Sequence, residues 1–165
     1  MARNEKCIVW SCYIENIEQL SKEYTEYSPR KIHGSMTIEE RNRSVDVFKS
    51  NESCRLLFAT PQAAKEGLTL TVANNAIFYD RSFNLDDYLQ AQDRIHRISQ
   101  TKDCTIYNIV VNESIDKWLD ALLTAKQYAA FLAQGDMSID EYVGKADYSY
   151  GEMIREILAE GDDNV

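Results

Sequence analysis

From Cys7 to Leu123, short β-rich runs alternate with stretches whose apolar residues recur at helical spacing. This alternation constrains the fold more than any other feature of the chain. CIVWSC (Cys7 to Cys12) is a continuous apolar run of strand length, and IENIEQLSKEYTEY follows with Ile14, Ile17, Leu20 and Tyr24 at a helical period. Lys31 and Ile32 form a short strand leading into His33-Gly34-Ser35. Thr37 then opens a helix, with Glu40 three residues on to complete a capping box. RLLFAT (Arg55 to Thr60), NAIFYD (Asn75 to Asp80) and TIYNIVV (Thr105 to Val111) supply three further strands. Asn84 or Asp86 caps a helix running through Tyr88, Leu89 and Ile95, and Ser114 caps a long one carrying Trp118, Leu119 and Leu122. Strands separated by helices at this spacing predict βαβ units with right-handed crossovers: an α/β fold with a mainly parallel sheet flanked by helices on both faces.

Ligands of such sheets sit outside the carboxyl ends of the strands. Attention therefore falls on Ser11–Tyr13, His33–Ser35, Thr60–Thr71 and Asp80–Phe83. A chain of 165 residues buries roughly 70% of its unfolded surface, enough for one core. No apolar run approaches the ~20 residues of a membrane span, and the opening MARNEKCIVW does not read as a signal peptide. The four cysteines include no C-x-x-C pair and do not combine with His33 or His96 at a metal-binding spacing. They read as reduced thiols acting as small hydrophobes.

A parallel α/β sheet invites a search for phosphate loops. Neither G-x-G-x-x-G nor G-x-x-x-x-G-K-[ST] occurs, and no Asp-Glu pair ends an apolar strand. Alone, this chain is expected not to cradle and activate ATP. What remains is QAQDRIHRISQ (Gln90 to Gln100), where Arg94 and Arg97 stand three apart on an expected helix, both guanidiniums on one face. An arginine delivered from a facing surface stabilises the charge that phosphoryl transfer places on the γ-phosphate oxygens. Two solvated arginines, or a pair with Asp93, remain the alternative.

Gln90-x-x-x-Arg94-x-x-Arg97 resembles motif VI of superfamily-two helicases, in the form carried by Swi/Snf-type DNA translocases. ATPQAAKEGLTLTVANNAIFYD (Ala59 to Asp80) is similar to motif V and the strand after it, in a style close to the annealing-helicase branch. CIVWSCYIENIEQL resembles motif IV, and Ile32-His33-Gly34-Ser35 followed by EERN resembles the next block. The blocks keep family order over three quarters of the chain. Ser99 departs from the usual glycine of motif VI, and Ala64-Lys65 and Thr69 from the commoner Gly-Gly and Asn of motif V.

The resemblance implies the second RecA-like domain of a two-domain motor over residues 1–134, followed by an acidic helical tail over 135–165. It implies ATP with Mg²⁺ held mainly by a separate first motor domain, and an isolated chain without ATPase activity. Arg94 and Arg97 would face the γ-phosphate, with Gln90, Gly67 and Glu66 on the nucleotide side. Thr60, Ser11, Gly34 and Ser35 would meet the backbone of DNA, expected to be double-stranded. The partners implied are the first motor domain and DNA. The setting implied is the cytoplasm of a bacterial or phage-infected cell, or the nucleus of a eukaryote. The different-class alternative is a RecA-like interaction domain that has lost catalysis.

The formal charge of −9 is uneven. Residues 1–110 carry −1 and residues 111–165 carry −8. The acidity marks the tail and does not veto DNA contact by the rest, although a near-neutral domain releases few counterions.

Overall fold

The computed structural model describes residues 5–64 and 68–141. Within them, β1 (Cys7–Trp10), β2 (Arg30–Ile32), β3 (Leu56–Ala59), β4 (Asn75–Phe78) and β5 (Thr105–Asn108) form one sheet in the order β2-β3-β1-β4-β5. Every pairing is parallel, with Trp10 opposite both Ala59 and Phe78. The helices are α1 (Ile14–Glu23), α2 (Ile38–Ser50), α3 (Leu85–Gln92) and α4 (Ile115–Gln134). Two compact units divide the chain after Ile109, so α4 belongs to the second. No helix among the described residues is long and apolar enough to cross a membrane.

β1 and β3 are buried along their whole length. A strand covered on both faces has no polar face, which is why their sequences run apolar without alternation. Successive side chains still divide between the two faces. Ile8, Trp10, Leu57, Ala59, Ala76 and Phe78 join Val45 and Phe48 of α2 and Ala91 of α3 in the larger core. Cys7, Val9, Leu56 and Phe58 join Ile17 and Leu20 of α1 in the smaller one. Handedness explains the split. The β1-to-β2 crossover runs across the sheet in one direction and the β2-to-β3 and β4-to-β5 crossovers in the other, so right-handed connections put α1 on one face and α2 and α3 on the opposite face.

The helix starts expected from the sequence are the observed ones. The Thr37 hydroxyl accepts from the Glu40 amide while the Glu40 carboxylate accepts from the Thr37 amide, closing the capping box of α2. Asn84, not Asp86, caps α3, and Ser114 caps α4. Gly135 closes α4 at φ 81°, a left-handed conformation in which an L side chain would be strained. The ends differ more from expectation: β1, β3 and β4 stop at Trp10, Ala59 and Phe78 rather than at Cys12, Thr60 and Asp80, and α1 stops at Glu23, short of Tyr24. β5 stops at Asn108, because only Ile109 still donates across to Phe78, at 3.0 Å. α3 stops at Gln92 rather than continuing through Ile95. Ser138-x-x-Glu141 forms a further capping box, with Glu141 donating its amide to the Ser138 hydroxyl at 3.2 Å. The rest of the expected tail helices, including EMIREIL, lies outside the described residues.

Candidate functional site

Parallel register brings the first residues after four strands to one level at the carboxyl edge of the sheet. Thr60 donates its amide to Ile32 (3.1 Å), Ser11 to Ala59 (3.1 Å) and Tyr79 to Trp10 (2.9 Å). His33, Thr60, Ser11 and Tyr79 therefore form one row. Gly34 and Ser35, exposed, follow His33 in a turn closed by the Met36 amide on the His33 carbonyl. No neighbour lies within 4 Å of where a Gly34 side chain would start. That glycine is not demanded by packing.

Ser11 and Thr60 are on the row but turned inward, only 1% and 4% exposed. Thr60 Oγ1 accepts from the Ala63 amide. Ser11 Oγ donates to the Asp80 carboxylate, which also accepts from the Cys12 amide at 2.6 Å and from Asn16 at 3.1 Å. Asp80 thus ties the exit of β1 to the exit of β4. Asp80 opens the Asp80–Phe83 segment that the sequence marks after a strand, but its part in tying two strand exits together is not expected there; an acid two residues past an apolar strand is the available signal. Burial, then the Asp80 charge, pushes the Cys12 thiol up to about 11. Along the same edge, Glu18 of α1 accepts from Lys31 at 2.5 Å to both oxygens and lies 3.2 Å from His33 Nε2, anchoring α1 to β2.

The arginines sit elsewhere. Tyr88 of α3 meets Asn108 at the carboxyl end of β5, whereas Ile95 accepts from the thiol of Cys104, just before β5 begins. α3 therefore runs back along the sheet and delivers Arg94 and Arg97 to the amino edge. Helix has ended by then, so the two guanidiniums do not share a helix face. Arg94 is buried at 7% exposure, while Arg97 is half-buried. The reason is a set of bonds, most of them non-local, that replaces further helix. Leu70 donates its amide to the Arg94 carbonyl (3.0 Å), and Arg97 reaches Thr69 Oγ1 at 2.8 Å and the Asp93 carbonyl at 3.1 Å. Gln100 donates to the carbonyls of Thr71 (3.1 Å), Ala73 (2.9 Å) and Ile95 (3.1 Å). Thr69, Asp93, His96, Arg97, Ile98 and Ser99 line an open depression there.

Neither arginine makes an ion pair with a described residue. Burial, then the neighbouring Arg97 charge, lowers the Arg94 pKa against a smaller opposing pull from Asp93. Two adjacent cations with little compensation favour an anion between or beside them. Gln90 is exposed on α3 and free to face a ligand or a second domain. Glu66 and Gly67 lie outside the described residues.

Residues 1–99 match the family described as "Helicase conserved C-terminal domain". The chain is 38% identical over 96 residues to the ATP-dependent helicase fft3 of Schizosaccharomyces pombe, covering 58% of this chain and 10% of that protein. It is 31% identical over 134 residues to the chromatin-remodeling ATPase INO80 of Arabidopsis thaliana, covering 80% of this chain and 9% of that protein. The crystal structure of the C-terminal part of the Fun30 ATPase domain superposes with a TM-score of 0.67 at 28% identity, covering 72% of this chain and 39% of that one.

Proposed function

The chain belongs to the helicase conserved C-terminal domain family in its Swi/Snf type, and from that membership we propose that it is the second motor half of a DNA-dependent ATPase. In this reading it closes against a first, ATP-binding domain and moves along DNA without needing to separate the strands. The observation that carries it is the arginine pair. Arg94 and Arg97, adjacent and without an ion-pairing partner among the described residues, suit the phosphate oxygens of a nucleotide presented from a facing surface.

The donor set fits ATP in one respect: planar guanidiniums match phosphate oxygens bidentately. Arg94 and Arg97, with Gln90 beside them, would hold the phosphate end, while Mg²⁺ and the hydrolysing machinery fall to the first domain. ATP supplies the phosphoanhydride whose cleavage drives the cycle. The buried Arg94 orients, and Arg97, half-exposed, offers charge where it develops during transfer. At the opposite edge, Gly34 and Ser35 are open to a DNA backbone. Ser11 and Thr60 reach one only if their present bonds rearrange. Relatives from a yeast and a plant, one of them a chromatin-remodeling ATPase, favour the nuclear setting over a bacterial one.

Because the phosphate loop and its acidic partner motif are missing from the sequence, the chain by itself is expected to hydrolyse no ATP. Combined with an ATP-binding first motor domain and DNA, it should restore hydrolysis, and Arg97→Ala should remove roughly 10³-fold of that rate. DNA-stimulated turnover by the pure chain that disappears in Arg97→Ala would overturn the half-motor reading. Full hydrolysis by the combined motor carrying Arg97→Ala would overturn the arginine's role.

A further inference from the structure

Gln100 ends the motif-VI-like string, and nothing in the functional reading above uses it. Its side chain nonetheless makes four hydrogen bonds at the amino edge. Nε2 meets the carbonyls of Thr71, Ala73 and Ile95, and Oε1 accepts from the Lys102 amide at 3.1 Å. Its own amide donates to the Arg97 carbonyl at 2.8 Å. Three successive residues of one segment are thereby matched to three of the other: Thr69 with Arg97, Leu70 with Arg94 and Thr71 with Gln100. No helix holds the stretch from Arg94 to Gln100, so its shape depends on these bonds.

We propose that Gln100 is a positioning residue: it clamps the Arg94–Gln100 turn to the Thr69–Ala73 segment and so fixes where the Arg97 guanidinium points. The inference rests on the reading of Arg97 as phosphate-facing for its functional meaning, though not for its geometry. Only an amide serves here. The group must donate to several carbonyl oxygens and accept from an N–H at once, which a carboxylate or a thioether cannot do. Without the clamp the Asp93–Gln100 turn loosens, and the Arg97 side chain loses its hold on both the Asp93 carbonyl and Thr69.

The test uses the whole 165-residue chain and reads the side-chain Nε–H resonance of Arg97 by ¹⁵N NMR, assigned by its disappearance in Arg97→Lys. In the wild type this proton, held by the Asp93 carbonyl, should be resolved and slow to exchange. In Gln100→Glu and in Gln100→Met it should merge with the fast-exchanging exposed arginines, while the amides of Ile8 to Trp10 stay protected as evidence of an intact sheet. An unchanged Arg97 signal in either folded variant overturns the proposal. The combined motor gives the second arm. Gln100→Met should lower kcat about tenfold or more with KM for ATP unchanged, since a misplacement near 1 Å can cost ~10²-fold. On an Arg97→Ala background it should cost nothing further. Additive losses would mean that Gln100 acts through something other than Arg97. Should Arg97→Ala alone leave hydrolysis intact, the phosphate-facing reading fails while the NMR result on positioning stands or falls by itself.

Discussion

Asp80 shows how one side chain can decide what a neighbouring candidate does. Ser11 reads in sequence as a hydroxyl at a strand end, free to meet a phosphate. In the fold its proton goes to Asp80, whose carboxylate also takes the Cys12 amide. Asp80→Ala would leave that amide without an acceptor, at a cost of about 1–3 kcal/mol. It would also lower the Cys12 thiol from its value of about 11, part of whose elevation is due to the Asp80 charge. Urea unfolding should report the first effect and faster alkylation of Cys12 the second; a variant as stable and as inert as wild type would remove Asp80 from this role. Glu18 gives the pH dependence. The Lys31 hydrogen bond holds its carboxyl below the ordinary 4.5, against a smaller opposing effect of burial. A depressed folded pKa stabilises above the unfolded value and is lost as pH falls through the folded one. Both partners are about one-third exposed, so the contribution is modest, ~1 kcal/mol or less. Wild type should therefore exceed Glu18→Gln in urea midpoint at neutral pH, and the gap should close as the pH is taken well below 4.5. A gap that persists in acid would mean that Glu18 acts through packing.

At the scale of elements, what the sequence made legible is what local chemistry controls. Buried strands show as unbroken apolar runs, and α2, α3 and α4 each begin at a residue whose side chain accepts from the first turn. The direction of each crossover then follows from handedness alone. The end of α3 was not legible for the opposite reason. Tyr88, Ala91 and Ile95 keep a helical period, and neither Gly nor Pro interrupts them. The helix yields to bonds from Leu70, Thr71 and Ala73, more than twenty residues away along the chain, which no window of sequence contains. The candidate site divides along the same line. The residue types and their order were readable, while the inward turn of Ser11 and Thr60, the burial of Arg94 and the part played by Gln100 all depend on non-local partners. Ends of elements set by tertiary bonds are where a motif's geometry departs from its pattern.

For the whole molecule the uneven charge becomes a statement about binding. The sheet-bearing residues 1–110 sum to −1, so the positive groups that could face DNA, such as Arg30 and Arg43, are offset by acids elsewhere on the same unit. Affinity for a duplex grows with the number of phosphates neutralised, and its logarithm falls with that of salt at a slope of about −0.9 per contact. A half-motor with a few contacts from an exposed turn at Gly34 and Ser35 should therefore bind weakly and with a shallow slope, whereas a complete motor should bind tightly and steeply. Fluorescence anisotropy on a duplex from about 50 to 200 mM salt separates the cases: the isolated chain is expected to show a slope near −1 to −3, steepening when the first domain is added. Tight binding by the chain alone, with a slope as steep as the combined motor's, would mean that its own surface carries the DNA site and that the facing domain is not needed to complete it.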